Sequence, residues 1–293
     1  MKKVLVVGAS GFLGKKIASR MRSEGLSVVG TGFSAAGSDA IRLDTRARSE
    51  IEEIIKNVAP DVVVDAHGMT SVDQCEKNPE EAHAINVDGT GNLSAVAAAH
   101  GAKYVYISTD YVFDGRSGEK YTETTPKNPI NVYGKTKDKA EKVVMKHIPD
   151  ALILRTSSIY GFNDKDDKSN FAKFVYTSLK AGKEVRCVTD QFTCPALIDD
   201  IAEAVIVLLR KKKLGIYHVV GSEFLSRHDF AVNVANVFGL DANLIKLAST
   251  SEMNFAAPRP LHLDLSTAKL QSEGLKTSGS LEGLRTMKRQ MNL

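Results

Sequence analysis

The chain has 293 residues, 43% of them hydrophobic and 25% charged, and its 39 basic and 35 acidic residues give a formal net charge of +4. This is the composition of an ordinary globular protein with ample core-forming material, and such a small charge excess argues against nucleic acid as a partner. The one compact basic run, Lys211 to Lys213, follows an apolar helical stretch and is interpreted as a solvated helix end.

The cysteines and the first residues bear on location. Cys75, Cys187 and Cys194 have no spacing suited to a zinc site, so free thiols in a reducing compartment are expected. The apolar run after Met1 is interrupted at Gly8, before a signal segment or membrane span could form. We therefore expect a cytoplasmic protein without a membrane partner.

Short β-branched runs alternate with longer amphipathic stretches through the first 160 residues. Strands are predicted at residues 4–7, 26–29, 61–64, 104–107 and 152–154, and helices at residues 49–58, 79–100 and 132–147. Repeated βαβ units build a doubly wound parallel sheet with helices on both faces. Residues 1–160 are therefore expected to form a dinucleotide-binding Rossmann domain of the α/β class.

The pattern loosens after residue 160. The polar stretch 163–170 is interpreted either as a lid or as a plain solvated connection. Further elements are predicted as helices at residues 171–180, 201–209 and 226–238 and a strand at residues 184–188. We expect residues 161–293 to be mainly a small substrate-binding lobe, with segments that can return to the Rossmann unit.

The first chemical motif is residues 8–14, GASGFLG, between the first strand and the first helix. Gly8 permits a tight turn, Gly11 lets the backbone approach a pyrophosphate, and Gly14 allows close packing of the helix. In this context the motif predicts dinucleotide binding rather than an ordinary turn. The expected cofactor-binding residues here are Gly8, Ser10, Gly11, Phe12, Leu13 and Gly14. The GxxGxxG spacing resembles the extended short-chain dehydrogenase/reductase family.

Two further motifs indicate carbonyl chemistry. Tyr133 and Lys137 lie i, i+4 on one face of a predicted helix, and the ammonium is expected to lower the pKa of the phenol and make it a better proton donor. Residues 108–115, STDYVFDG, follow the fourth strand, where that family places its catalytic hydroxyl. Thr109 is the expected hydroxyl, and Ser108 is the alternative.

The run STDYVFDG, followed by YGKTK, closely resembles the dTDP-4-dehydrorhamnose reductase family, and the match extends over nearly the whole chain. The resemblance implies NAD(P)H-dependent reduction of the 4-keto group of a nucleotide-linked 6-deoxysugar, and homodimers are common in the family. It implies that Thr109, Tyr133 and Lys137 are catalytic, that Lys137 and Ser108 also contact the cofactor, and that a nucleotide sugar is the partner. The implied substrate contacts are Thr70, Asp110, Val112, Phe113, Arg155, Ser158, Gln191 and Arg259.

The choice of cofactor depends on the end of the second strand. Residues 31–35 contain no carboxylate to hold a ribose 2′-hydroxyl, which favours NADPH while leaving NADH open. Phe33 lies in this segment, and a 2′-phosphate would depend on Ser34, backbone amides and Lys15 or Arg42. Asp44 matches the position that contacts adenine in such enzymes, or else it caps a helix.

A third segment is expected at the cofactor. Ala66, His67 and Gly68 follow the third predicted strand and resemble the segment that lines the cofactor in these enzymes, although His67 is alternatively a satisfied loop residue. Lys15 and Lys16 occupy positions where acidic residues would be expected near a magnesium ion. We therefore expect no metal.

Departures from the family pattern cluster where the sugar should bind. Ser158 stands where the family usually has tryptophan, and Leu263 and Ser266 stand where it usually has serine and aspartate. These differences leave the identity of the sugar and of the base open.

Two other functions are compatible with the sequence. The beta subunit of methionine adenosyltransferase resembles the same reductases and acts as a nucleotide-binding regulatory partner, and a nucleotide-sugar epimerase would keep the same catalytic residues. The intact Thr109, Tyr133 and Lys137 favour an enzyme. Tyr111 after Asp110, in place of glutamate, argues against a dehydratase.

Overall fold

The structure, a computed structural model, describes residues 2–34, 40–164 and 170–293. Ala35 of the second-strand segment and residues 165–169 of the expected polar connection lie outside the described residues. The strands are β1 (Lys3–Val7), β2 (Ser27–Gly32), β3 (Ile41–Arg42), β4 (Val62–Asp65), β5 (Lys103–Thr109), β6 (Leu152–Thr156), β7 (Val185–Val188), β8 (Phe192–Thr193), β9 (Gly215–His218), β10 (Leu225–Ser226) and β11 (Ile245–Ala248). The α-helices are α1 (Phe12–Ser23), α2 (Arg48–Val58), α3 (Val72–Lys77), α4 (Pro79–His83), α5 (Thr90–Ala99), α6 (Val132–His147), α7 (Phe171–Lys180), α8 (Ile198–Arg210), α9 (Arg227–Phe238), α10 (Ala268–Ser272) and α11 (Ser280–Gln290).

The central sheet has seven strands in the order β3-β2-β1-β4-β5-β6-β9, and every pair in it is parallel. The order reverses direction at β1, which pairs with β2 on one side and β4 on the other. In such a sheet the ligand site forms at the carboxyl ends of the strands beside this switch point. The predicted doubly wound α/β fold is confirmed.

Both faces of the sheet are covered by helices, as the near-continuous apolar character of its strands requires. On one face, alternate residues of β1, β4, β5 and β6 pack against α1 and α8, where Ile17 and Ile201 are fully buried. On the other face, the intervening strand residues pack against α2, α5 and α6, where Ile51 and Leu93 are fully buried. The two cores hold the carboxyl ends of the strands in fixed positions.

Parts of the chain after residue 160 belong to this sheet. The seventh strand, β9, pairs with β6, and helix α8 covers the face shared with α1. The remaining segments form a separate cluster around Phe230, in which α7, α9 and α11 pack on the parallel pair β7 and β11. The division at residue 160 into two domains remains a prediction.

The helix predicted over residues 79–100 is interrupted in the structure. Helix α4 ends at His83, a π-helical turn spans Ala84–Gly89, and α5 continues from Thr90. Asn86 lies in this π-helical turn and is buried. Its side chain forms hydrogen bonds with Met69, in the loop after β4, and with Thr136, in helix α6. Such turns are frequent at functional sites.

Candidate active site

The glycine motif forms a tight connection between β1 and α1. Gly8 has a φ of +86°, and a Cβ on it would lie 2.7 Å from the Ala66 carbonyl oxygen. A Cβ on Gly14 would lie 2.1 Å from the Gly8 carbonyl oxygen. Helix α1 begins after Gly11 without a side-chain cap, so its first backbone N–H groups are open to an anion. No larger residue fits at Gly8 or Gly14 in this arrangement.

Two cavities lie at the carboxyl ends of the sheet strands, and His67 and Gly68 line both of them. The larger encloses about 450 Å³ and the smaller about 290 Å³. Most of the predicted site residues line the larger cavity, namely Gly11, Phe12, Leu13, Gly14, Ala66, His67, Gly68, Thr70, Ser108, Thr109, Asp110, Tyr133, Lys137 and Ser158. The smaller is lined by Gly8, Phe33 and Asp44 among others.

The smaller cavity is lined by the Phe33 ring and by the charged side chains of Asp44, Arg46 and Glu81. The Phe33 ring is 62% exposed, and the guanidinium carbons of Arg42 and Arg46 lie 5.9 and 5.5 Å from its centroid. Arg46 donates to the Asp44 carboxylate at 2.7 and 2.9 Å, and these bonds lower the pKa of Asp44. The alternative that Asp44 caps a helix is wrong, because α2 begins at Arg48 and Ala47 is its N-cap residue.

Two of the predicted cofactor residues do not line either cavity. The Ser10 side chain packs against Gly32, since a Cβ on Gly32 would lie 2.1 Å from the Ser10 hydroxyl oxygen. Ser34 is exposed just past β2. Their contact with a cofactor remains a prediction.

His67 is both a lining residue and a satisfied loop residue. Its Nδ1 is bonded to the Asp65 carboxylate and its Nε2 lies 3.2 Å from the Ile85 carbonyl oxygen. Burial alone would raise the pKa of Asp65, but His67, the Tyr104 hydroxyl at 2.7 Å and Lys137 together hold that pKa below its ordinary value. A buried carboxylate therefore supports the cavity wall from behind.

Thr109, Tyr133 and Lys137 meet in the larger cavity from two elements. Thr109 ends β5, and its hydroxyl donates to Asp110 Oδ1 at 3.0 Å while accepting the Tyr111 N–H at 3.2 Å. Tyr133 and Lys137 are one turn apart in α6, whose start is fixed by Asn131 accepting the Gly134 N–H at 2.8 Å. The predicted catalytic side chains therefore face one space.

The Lys137 ammonium is nearly buried, at 5% exposed. It donates to the Ile107 carbonyl at 2.7 Å and lies 4.1 Å from the Tyr106 ring centroid. Burial lowers the pKa of Lys137 to about 8, against opposing contributions from Asp65, Glu141 and Cys75. The lysine is thus a cation at neutral pH and titrates at mildly alkaline pH.

The expected lowering of the Tyr133 pKa is not found. Burial raises the pKa of the phenol well above its ordinary value, the Thr109 hydroxyl offsets this only in part, and the Asp110 carboxylate adds to the rise. The desolvation of the phenol outweighs any effect of the Lys137 ammonium, which is directed at the Ile107 carbonyl. Tyr133 therefore stays protonated at neutral pH, as a proton donor must.

Ser108, the alternative hydroxyl, is committed elsewhere. It donates to Glu141 Oε1 at 2.6 Å, and Arg155 donates to both oxygens of the same carboxylate at 2.9 Å. Lys127 adds a further bond at 2.9 Å. These cations outweigh burial and lower the pKa of Glu141 to about 2. The network braces β5 against α6 and β6 directly behind the cavity.

The remaining predicted substrate contacts divide into two groups. Thr70, Asp110 and Ser158 line the larger cavity, and Ser158 does so with a left-handed backbone at φ +39°. Five do not line it: Val112, Phe113 and Arg155 are fully or almost fully buried, Gln191 bonds the Tyr111 hydroxyl at 3.2 Å, and Arg259 is paired with Asp73 at 2.7 Å. Their side chains are taken up by protein contacts, so direct contact with the substrate is not supported for them by this geometry.

Seven lining residues of the larger cavity were not predicted as site residues: Val72, Ile107, Tyr111, Thr156, Ile159, Asn170 and Arg227. Asn170 precedes α7 and Arg227 begins α9, so both arrive from parts of the chain far from the motifs. The local signals are N-cap patterns, with Asn170 before α7 and Ser226 before α9, and these predict helix starts and no site. Among the described residues no helix is long and apolar enough to cross a membrane, and no three His, Cys, Asp or Glu side chains cluster as metal ligands.

Comparison with known proteins gives relatives along the whole chain. The spore coat polysaccharide biosynthesis protein SpsK of Bacillus subtilis (strain 168) is 33% identical over 285 residues, which are 97% of this chain and 96% of the relative. A dTDP-4-dehydrorhamnose reductase of Aggregatibacter actinomycetemcomitans is 32% identical, covering 92% of each chain. The methionine adenosyltransferase 2 subunit beta of Bos taurus is 30% identical, covering 94% of this chain and 83% of the relative.

Solved structures and a family model agree with these relatives. The dTDP-4-dehydrorhamnose reductase of Bacillus anthracis in complex with NADP has a TM-score of 0.90 at 30% identity, covering 98% of this chain and 99% of that one. The family model described as the RmlD substrate binding domain matches residues 1–292. The chain therefore belongs to the RmlD family of oxidoreductases, which includes the dTDP-4-dehydrorhamnose reductases and has the extended short-chain dehydrogenase fold.

Proposed function

We propose that the protein reduces the 4-keto group of a nucleotide-linked 6-deoxysugar with NADPH. One observation carries the proposal: Thr109, Tyr133 and Lys137 line the same cavity as the open N-terminus of α1 and the glycine motif. A phenol and a hydroxyl beside a dinucleotide site are the groups that carbonyl reduction requires. Members of the family named for this activity cover almost the whole chain.

The glycine motif fits a nicotinamide dinucleotide. Side chains are excluded at Gly8 and Gly14, and the uncapped N–H groups after Gly11 suit a diphosphate. The smaller cavity would take the adenosine, with Phe33 and Asp44 among its lining residues. When bound, the reduced nicotinamide supplies the hydride, so the protein itself needs no redox group.

Charge at the smaller cavity supports NADPH. Arg42 and Arg46 flank the Phe33 ring, where they pair with Glu50 at 3.6 Å and Asp44 at 2.7 Å, and residues 31–34 carry no carboxylate. The Asp44 carboxylate is already bonded to Arg46, so it is not free to hold a ribose hydroxyl. A 2′-phosphate would bind these arginines more favourably than a second hydroxyl would.

The protein's own groups then provide geometry and proton transfer. Tyr133 donates a proton to the substrate oxygen, since burial keeps its phenol protonated. Thr109 can donate to the same oxygen once Asp110 holds a proton, because a protonated carboxyl can donate back to the Thr109 oxygen. Burial raises the pKa of Asp110 to about 6, which keeps this protonated form accessible. The Lys137 ammonium would hold the nicotinamide ribose.

The regulatory alternative has support from one observation, the 30% identity to a methionine adenosyltransferase 2 subunit beta. Such a role would need the nucleotide site but not the catalytic groups. The complete set of Thr109, Tyr133 and Lys137 in one cavity favours the enzyme. We also propose that the protein acts in the cytoplasm, which its three buried free cysteines support.

The proposal is tested by following NADPH oxidation with a dTDP-4-keto-6-deoxysugar generated enzymatically, in parallel with NADH. Wild-type protein is expected to turn over, with a lower KM for NADPH, and Tyr133→Phe is expected to lose at least about 10²-fold in kcat. The control is the binding of NADP⁺, which the Tyr133→Phe protein should retain. Cofactor binding without turnover by the wild-type protein would contradict the proposal and favour the regulatory role.

A further inference from the structure

Arg227 is a cation of the larger cavity that the mechanism above does not use. It lines that cavity together with Thr109 and Tyr133 and is half-buried. None of the ion pairs of the described residues involves its guanidinium, whereas Arg155 and Arg259 are paired with Glu141 and Asp73. Arg155 and Arg259, the two arginines predicted as substrate contacts, are thus each paired with a carboxylate. Arg227, which was not predicted, has no such pair among the described residues.

The position of Arg227 is fixed without using its side-chain donors. Its guanidinium carbon lies 4.9 Å from the Phe171 ring centroid, and its backbone N–H donates to the Gln191 carbonyl at 3.0 Å. Ser226 accepts the Asp229 N–H at 2.9 Å and so fixes the start of α9. Stacking engages the face of a guanidinium and leaves the N–H groups on its edge available.

Asp110 provides a second, independent observation in the same cavity. Its side chain is 2% exposed, and its Oδ2 forms no hydrogen bond among the described residues, although the Ser157 hydroxyl is near enough to lower the pKa of Asp110. Asp110 and Arg227 line one cavity but form no ion pair with each other. A buried acceptor without a donor costs free energy, and so does a half-buried guanidinium without an acceptor. A ligand with both an anionic group and a hydroxyl would satisfy the two together.

We propose that Arg227 binds an anionic group of the substrate inside the catalytic cavity, while Asp110 Oδ2 accepts a hydrogen bond from a substrate hydroxyl. The inference rests on the proposed function only in assigning this cavity to a nucleotide sugar. The diphosphate bridge of any nucleotide sugar, including the proposed 6-deoxysugar, has the required oxyanion chemistry. The carboxylate of a nucleotide-linked uronate also has it, but a uronate is not a 6-deoxysugar. Either can bind the guanidinium through two parallel bonds.

The test is calorimetric titration of the NADP⁺-saturated protein with dTDP-glucose and with the pair UDP-glucose and UDP-glucuronate, which differ in a sugar carboxylate. The variants are Arg227→Met, which removes the charge, and Arg227→Lys, which keeps it. Arg285→Met, at an exposed arginine of α11, is the matched control. If Arg227→Met does not fold, Arg227→Gln replaces it, and NADP⁺ affinity reports folding in every variant.

Loss of at least about tenfold in affinity for all three ligands in Arg227→Met, partly restored in Arg227→Lys, would support binding of the diphosphate. A loss confined to UDP-glucuronate would support binding of a sugar carboxylate. Unchanged affinities in Arg227→Met, or a wild-type protein that binds none of the three ligands, would overturn the inference. The titration measures ligand binding and not reduction. Loss of binding in Arg227→Met would therefore support the inference even if the wild-type protein did not oxidise NADPH, and unchanged binding would overturn it even if the wild-type protein were an active reductase.

Discussion

Neighbouring hydroxyls at the end of β5 have different surroundings. Both residues line the larger cavity, but the Ser108 hydroxyl donates to the buried Glu141 carboxylate, whereas the Thr109 hydroxyl donates to Asp110. The same two-residue motif therefore supplies one hydroxyl bonded to the Glu141 ion-pair network and one bonded to Asp110. The sequence indicated Thr109 as the catalytic hydroxyl with Ser108 as the alternative, but it could not predict that Glu141 would bind Ser108.

Removing these two hydroxyls is therefore expected to lower kcat to different extents. Thr109→Val should lower kcat by about 10²-fold or more, because a donor to the developing oxyanion is removed. It should also cost about 1–3 kcal/mol of unfolding free energy, since Asp110 and the Tyr111 N–H lose a buried partner. Ser108→Ala should cost about 1–3 kcal/mol of unfolding free energy, since Glu141 loses a buried donor, with a smaller effect on kcat. Urea unfolding and steady-state kinetics on both variants separate the two effects. A larger kcat loss in Ser108→Ala than in Thr109→Val would reverse the assignment.

Asp110 makes stability depend on pH in an unusual direction. Its pKa is about 6 in the folded protein because of burial, against an ordinary value of 3.8. The folded state therefore binds more protons between these values, and the free energy of unfolding falls as pH rises through this window. Asp110→Asn cannot ionise, so its stability relative to wild type should increase from pH 4 to pH 7 by about 1–3 kcal/mol.

Urea unfolding of Asp110→Asn and wild type at pH 4, 5, 6 and 7 measures this difference. Asp150→Asn, at an exposed carboxylate after α6, serves as the control and should show no such trend. A difference between Asp110→Asn and wild type that stays constant with pH would show that Asp110 ionises normally in the folded protein.

Much of the site could be predicted from the sequence because the motifs lie on elements whose ends are predictable. The glycine motif follows a strand, and Tyr133 and Lys137 lie on a helix found at its predicted bounds, Val132–His147. The motifs could not predict that Val112, Phe113 and Arg155 would be buried, because that depends on partners distant in sequence. Arg227 was missed for the same reason, since it reaches the cavity from α9.

A buried ion pair between Arg155 and Glu141 joins β6 to α6. Arg155 is 1% exposed and donates twice to the Glu141 carboxylate, which also receives Ser108 and Lys127. Removing one member of such a pair leaves a buried charge without compensation, whereas removing both removes the charge itself. The pair positions the end of β5 and is therefore expected to act on the site through stability.

Arg155→Leu should accordingly lower the free energy of unfolding by about 3–5 kcal/mol. The double variant Arg155→Leu, Glu141→Leu should recover a large part of that loss, although Lys127 then loses a partner. Thermal and urea unfolding of the wild type, both single variants and the double variant form a complete cycle. If the losses in the two single variants simply add in the double variant, the two side chains are not coupled, and Arg155 would return as a candidate substrate contact.

The sequence predicted a parallel sheet covered by helices on both faces, but it did not predict all the segments that form this sheet and its helical layers. Strand β9 and helix α8 come after the regular βαβ pattern has ended, yet both belong to the main sheet and its cover. The period of a short apolar run such as Gly215–His218 cannot show which sheet it joins. The apolar run in α8, by contrast, predicted a helix over residues 201–209 without showing where it packs.

This arrangement makes a prediction about the fragment of residues 1–160. The fragment would lack β9 and α8, leaving the β6 edge unpaired and the face beside α1 uncovered, where Val4, Val64 and Leu154 are fully buried in the whole chain. Uncovered apolar surface and an open strand edge favour aggregation over folding. Residues 1–160 should therefore aggregate or unfold without a cooperative transition, whereas residues 1–220, which include both elements, should retain more native sheet. Circular dichroism with thermal melting and gel filtration of both fragments beside the whole chain measures this. A monomeric 1–160 fragment that melts cooperatively and binds NADP⁺ would show that the first 160 residues are an independent domain after all.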